Sequence, residues 1–63
     1  MEFNKVLRDL RVEHGLTQKE LSKVLSVSER TIGMYERGCR EPDFETLEEI
    51  ADYFNVDMVS LIL

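Results

Sequence analysis

A chain of 63 residues predicts one small domain, which buries only about 60% of the surface that its unfolded form exposes. A composition of 43% hydrophobic and 33% charged residues excludes a disordered chain, and no apolar run approaches the roughly 18 residues that a membrane-spanning helix needs. The single cysteine, Cys39, cannot form an internal disulfide. We therefore predict a cytoplasmic protein without a membrane segment.

The net charge of −5 is unevenly distributed along the chain. Residues 1–14 sum to zero, residues 15–38 hold four basic residues against three acids, and residues 39–63 hold one basic residue against seven acids. The middle of the chain can therefore approach phosphate, whereas the last third cannot. A simpler interpretation is that residues 43–57 only form a solvated acidic face.

Apolar spacing predicts a first helix that ends before Gly15. Its inward face holds residues at the helical spacing i, i+3, i+4 and i+7: Phe3, Val6, Leu7 and Leu10. Gly15 is expected in the left-handed conformation that commonly follows a helix. His14 is interpreted as an exposed residue in the last turn, because no cluster of potential metal ligands or catalytic partners accompanies it.

Two short helices follow, each with its own start signal. Thr17 and Glu20 form a capping box, and Ser28 is the expected N-cap of the next helix, which Gly38 ends. The turn between them lies at Ser26-Val27. Ile32 and Tyr35 are expected to face inward, and a separate group outward: Glu29, Arg30, Gly33, Met34 and Arg37. The arrangement, about residues 17–36, fits a helix-turn-helix that places its second helix, about residues 28–37, in the DNA major groove.

The remaining residues predict two more helices. Asp43 is the expected N-cap of the fourth helix, Asn55 closes it in the left-handed region, and Asp57 caps a short fifth helix. The chain then ends in Leu61-Ile62-Leu63, which either closes the core or pairs with another surface. No alternation or hairpin turn predicts a strand.

The chain contains no pattern that predicts an enzyme. No nucleophile–base pair, metal-ligand cluster or glycine-rich phosphate loop occurs. We therefore predict no catalytic residue, no metal and no cofactor.

Taken together, these motifs resemble the helix-turn-helix domain of phage repressor and Cro proteins, the Xre-like family of bacterial regulators. The resemblance extends from Val6 to Leu61 and is carried by three motifs, Leu16-Thr17-Gln18-xx-Leu21, Val27-Ser28-xx-Thr31-Ile32 and Tyr35-Glu36-Arg37-Gly38, with Pro42 and Leu47 after them. It implies an all-α, compact five-helix bundle of the lambda-repressor-like type that binds operator DNA as a dimer.

The resemblance also implies roles for individual residues. Gln18 matches a glutamine that contacts a DNA phosphate and can brace the recognition helix, and Arg11 and Glu36 match a partly buried salt bridge. The other positions implied to contact DNA are Ser28, Glu29, Arg30, Thr31, Met34, Arg37 and Arg40.

The chemistry of these side chains agrees with part of this assignment. Arg30 is suited to a bidentate contact with guanine O6 and N7, and Thr31 can hydrogen-bond a base or pack its methyl group on thymine. The alternatives are that Gln18 and Arg30 are only solvated helix residues and that Arg11 and Glu36 are independent surface charges.

Several residues depart from the family pattern. Ser26 occupies a turn position where glycine is usual; we expect a positive φ there, at a cost of roughly 1 kcal/mol, and a higher melting temperature for Ser26→Gly. Glu29 either accepts from cytosine N4 or weakens binding. Gly33 weakens the recognition helix by up to about 1 kcal/mol, or allows close approach to the DNA backbone. Met34 and Cys39 replace polar or basic residues.

We therefore predict a sequence-specific transcriptional regulator, most simply a repressor, that binds a double-stranded operator as a homodimer. The alternative is an antitoxin or protein-interaction module with the same fold, which the negative charge and the apolar end favour.

Overall fold

The computed structural model describes residues 3–62, and these form an all-α structure. Its five helices are α1 (Phe3–Glu13), α2 (Gln18–Val24), α3 (Glu29–Arg37), α4 (Phe44–Phe54) and α5 (Met58–Ile62). No strand occurs within these residues. The predicted all-α, five-helix architecture is confirmed.

The first helix packs by the face that its apolar spacing predicts. Leu7 is fully buried, and Phe3, Val6 and Leu10 pack against the core. The ring of Phe3 meets that of Tyr35 edge to face, with centroids 5.9 Å apart, which joins the start of α1 to α3. Gly15 has the expected positive φ of 68°.

The predicted caps define both helices of the helix-turn-helix. The Thr17 hydroxyl accepts from the Glu20 N–H at 3.0 Å, and the Glu20 carboxylate accepts from the Thr17 N–H at 2.9 Å, so the capping box is complete. Ser28 caps α3 by accepting from the Thr31 N–H at 3.1 Å. Gly38 ends α3 in the left-handed conformation, as expected.

The turn between α2 and α3 differs from the prediction. Among residues 3–62, Asn55 is the only residue other than glycine with a positive φ, so Ser26 does not adopt the left-handed conformation. Leu25 closes α2 with extended backbone, at φ −107° and ψ 161°. The Ser26 N–H is then bonded to a carboxylate oxygen of Glu49, at 3.0 Å. The turn therefore does not need a glycine, and the expected strain at Ser26 was wrong.

The last two helices close the other side of the bundle. Asp43 caps α4 by accepting from the Thr46 N–H at 2.9 Å, and Asn55 ends it at φ 56° and ψ 49°, both as predicted. Leu61 is fully buried, so α5 contributes to the core. Ile62 remains half exposed, and Leu63 lies outside the described residues.

One apolar core connects the helices. Its buried side chains come from all five of them or their ends: Leu7, Leu21, Leu25, Ile32, Tyr35, Ile50, Ala51, Phe54 and Leu61. α3 packs against both α1 and α2, while α5 packs against α4 and α1. The recognition helix is thus held from two sides, which fixes the direction of its remaining face.

Candidate nucleic-acid interface

A buried carboxylate fixes α3 to the two helices before it. The Glu36 side chain is only 4% exposed and accepts from Arg11 Nε at 2.6 Å and from Arg11 Nη2 at 3.1 Å. It also accepts from Gln18 Nε2 at 3.0 Å. A bidentate guanidinium–carboxylate pair of this kind is both strong and directional.

Arg11 is further held by the chain itself. Its Nη1 donates to the Leu16 carbonyl oxygen at 2.8 Å, so the guanidinium spans the α1–α2 connection and α3. Hydrogen bonding to Glu36 raises the pKa of Arg11 above its ordinary value, although partial burial acts in the opposite direction. The structure therefore brings together Arg11, Glu36 and Gln18, three of the residues singled out from the sequence.

The first turn of α3 presents its polar side chains to solvent. Glu29 and Arg30 are exposed, and Thr31 and Met34 are half-buried. The Ser28 and Thr31 hydroxyl groups lie 2.9 Å apart and share a hydrogen bond. One hydrogen-bonding capacity of each hydroxyl is thus used within the protein, whereas the Arg30 guanidinium is exposed.

A polar cleft of about 450 Å³ lies between the start of α3 and the loop before α4. It brings Ser28 and Thr31 to the same opening as Arg40, and the acids Glu41 and Asp43 also line it. Hydrogen bonds from Thr46 lower the pKa of Asp43, and the positive charge of Arg40 acts in the same direction. The cleft therefore contains one basic side chain beside two acidic ones.

Gly33 is buried, which corrects the prediction that it lies on the outer face of α3. The residues that cover it come from opposite sides. A Cβ atom built on Gly33 would lie 3.2 Å from Arg37 Nη1 and 3.5 Å from Gln18 Oε1. Periodicity places residue 33 correctly on the outside, but it cannot show that two long side chains close over a residue without one.

The Ser26–Glu49 hydrogen bond is the other local feature that sequence analysis missed. Glu49 is 23 positions away and appears in the sequence only as one of several acids on α4. The half-buried state of Glu49 fits this role. No short-range signal could have paired these two residues.

Fold and site together define a compact helix-turn-helix with a braced second helix, and comparison with known proteins gives the family. The model of the helix-turn-helix family matches residues 7–61. The chain belongs to this family. Membership agrees with the expectations of a Cro/repressor-like domain and of a protein that is not an enzyme.

Two curated relatives give a range of names. A transcriptional repressor of a cryptic CTXphi phage, RstR from Vibrio cholerae, is 37% identical over 60 residues, covering 95% of this chain and 54% of RstR. The antitoxin PezA from Streptococcus pneumoniae is 31% identical over 60 residues, covering 95% of this chain and 38% of PezA. The chain thus spans about half or less of either relative.

A solved structure supports the fold independently. The clp gene regulator ClgR from Corynebacterium glutamicum superposes with a TM-score of 0.86 at 24% identity, covering 97% of this chain and 65% of ClgR. Within residues 3–62, no helix has the length and apolar character that crossing a membrane requires.

Proposed function

We propose that this chain is the DNA-binding domain of a transcriptional regulator and that α3 contacts base edges in the major groove of a double-stranded operator. One observation carries the proposal. Glu36 fixes α3 to both α1 and α2, while the exposed first turn of the same helix presents Arg30. A rigid helix with a free polar N-terminal turn is the geometry by which helix-turn-helix proteins contact bases.

The proposed contacts divide into two kinds. Arg30 and Thr31 contact base edges, with Glu29 and Met34 beside them, because these residues lie on the first two turns of α3. Gln18, Ser28, Arg37 and Arg40 contact the sugar–phosphate backbone and set the position of the helix. Arg11 and Glu36 act through the rigidity of α3 rather than by touching DNA.

The regulator is proposed to act as a homodimer and as a repressor in the cytoplasm, where bacterial and phage DNA lies. Similarity to the phage repressor RstR supports this direction of regulation. Two copies of α3 would enter the major groove at half-sites about one helical turn, or roughly 34 Å, apart.

Selection of bound sequences from a random pool of duplex DNA tests this function. The expected result is a short motif repeated in inverted orientation, since a two-fold dimer selects a two-fold site. A pool that is not enriched after repeated selection at low salt would contradict DNA binding. An enriched motif without symmetry would contradict the dimer and leave the DNA-binding function intact.

A protein-binding function is the second candidate. The net charge of −5 opposes association with DNA at a distance, and the antitoxin PezA is among the relatives. Titration with mixed-sequence duplex DNA at low ionic strength separates the two candidates. DNA binding with a shallow dependence on salt supports the regulator, whereas no binding even at low salt favours a protein partner.

A further inference from the structure

We propose that Gly33 is a positioning residue of the DNA-binding surface: because it has no side chain, Gln18 and Arg37 converge above it on one backbone phosphate of DNA. The inference rests on the proposed DNA-binding function. It adds a residue that would not itself touch a base and assigns two backbone contacts to a shared phosphate.

The burial of Gly33 is the first observation behind this proposal. Gly33 lies in the middle of α3, where every backbone group belongs to the helix and no positive φ requires a glycine. It is nevertheless buried, and the atoms nearest to its missing Cβ are the Arg37 guanidinium and the Gln18 amide. Its small size is therefore used for space rather than for backbone conformation.

The two covering side chains reach Gly33 from different helices. Arg37 follows Gly33 by four positions on α3, and side chains at this spacing lie on the same face of a helix. Its Nη1 would lie 3.2 Å from a Cβ on residue 33, and Gln18 Oε1, from α2, would lie 3.5 Å from the same point. Both polar groups therefore lie above a single glycine.

Gln18 is fixed in this position, whereas Arg37 is mobile enough to adjust. One N–H of the Gln18 amide is held by Glu36 at 3.0 Å, and Glu36 is held in turn by Arg11 at 2.6 Å. Arg37 is exposed, and residues 3–62 show no ion pair to it. A new atom on residue 33 would therefore displace Arg37 rather than Gln18.

The paired groups have the chemistry of a phosphate contact. Gln18 keeps a second N–H, and the Arg37 guanidinium carries several N–H donors with a full positive charge. A backbone phosphate oxygen accepts from both, and the charged donor gives the stronger bond. No carboxylate is among the atoms nearest to this point, in contrast to the cleft near Arg40.

The test is Gly33→Ala, which should change stability and DNA affinity in opposite directions. Alanine favours the helix, and the displaced atom is the flexible end of Arg37, so the melting temperature should rise by about 2–8 °C. Affinity for a mixed-sequence duplex at low salt should fall about three- to tenfold, and the slope of log K against log salt should become shallower by about 0.9, as for one lost phosphate contact.

Arg37→Ala supplies the comparison, and Lys5→Ala on α1 is its control for the same loss of charge elsewhere. Arg37→Ala should reproduce the shallower slope, whereas Lys5→Ala should leave affinity nearly unchanged. Adding Gly33→Ala to Arg37→Ala should then cause little further loss, because both substitutions remove the same contact. If Gly33→Ala does not fold, non-additive losses in Gln18→Ala and Arg37→Ala, measured well below their melting temperatures, support the shared phosphate.

Three results would separate failure of this inference from failure of the proposed function. If the unmodified chain does not bind duplex DNA at low salt, the proposed function is wrong and the inference fails with it. If the unmodified chain binds and Gly33→Ala binds equally well with the same salt slope, only the inference is overturned. Fully additive losses in either pair of substitutions overturn it as well.

Discussion

The Glu36 carboxylate joins three helices through hydrogen bonds from two side chains. Arg11 approaches from α1 and Gln18 from α2, and the carboxylate itself belongs to α3. The Arg11 side chain is 14% exposed, so neither charge is well solvated. Removal of one partner therefore leaves the other charge partly buried and unpaired, which is more costly than the loss of a surface ion pair.

Glu36→Ala should lower the free energy of unfolding by about 2–4 kcal/mol, because Arg11 loses its carboxylate partner and Gln18 loses its acceptor. Urea denaturation at neutral pH measures this change. Glu48→Ala, which removes an exposed acid from α4, is the control and should change stability by less than about 0.5 kcal/mol. Equal effects of the two substitutions would show that the buried pair is not a special support of the fold.

The turn residue Ser26 leads to the opposite expectation from the one that its sequence position gives. Its backbone has no positive φ, so a glycine would relieve no strain there. Ser26→Gly keeps the backbone N–H that bonds to Glu49 but makes the unfolded chain more flexible. We expect the free energy of unfolding to fall by roughly 0.5–1 kcal/mol. A higher melting temperature, measured by circular dichroism, would indicate that the turn adopts a left-handed conformation in solution.

The elements themselves could be predicted closely, because their start and stop signals are local. Thr17, Ser28 and Asp43 each lie within three positions of the N–H group that they cap, and Gly38 and Asn55 end their helices by their own φ. The turn at Ser26 and the burial of Gly33 depend on Glu49, Gln18 and Arg37. These contacts come from the packing of helices against one another, which sequence periodicity does not contain.

The α4 helix offers a test of one such cap through its pH dependence. Hydrogen bonds from Thr46 hold the pKa of Asp43 below its ordinary value of 3.8. A carboxyl group whose pKa is lower in the folded state stabilises the fold above its ordinary pKa, and this stabilisation is lost as the pH falls through the lower folded value. The contribution is therefore full at neutral pH.

Asp43→Asn should therefore narrow its difference in melting temperature from the unmodified chain as the pH falls below 3.8. Asparagine still caps the helix but does not titrate, so the substitution isolates the charge from the hydrogen bond. Thermal unfolding at neutral pH and at several values below 3.8 measures the difference. A difference that stays constant across this range would show that the charge of Asp43 does not support α4.

At the scale of the whole molecule, the charge is divided between two regions. The exposed acids Glu45, Glu48 and Asp52 lie on α4, whereas α3 and the following loop expose Arg30, Arg37 and Arg40. Such a division favours one orientation of the molecule toward a polyanion. Glu29, Glu41 and Asp43 reduce the positive potential of the α3 side, so affinity should depend more on specific contacts than on general attraction to phosphate.

The roles of single residues on the DNA-facing side could be predicted only through the family resemblance. Sequence chemistry indicates that Arg30 can contact guanine, but a solvated arginine on a helix has the same local pattern. The structure adds that Arg30 is exposed on a helix fixed from two sides. Which base it contacts depends on the partner DNA, which neither the sequence nor the fold of this chain contains.

The most direct test of the central proposal is the base preference of Arg30→Ala on the DNA motif selected by the unmodified chain. Loss of a bidentate arginine–guanine contact should cost about 1–3 kcal/mol and remove discrimination at one position of each half-site. Arg40→Ala is the control, and it should weaken binding to all sequences to a similar extent. Unchanged base preference in Arg30→Ala would contradict the assignment of α3 as the helix that reads the major groove.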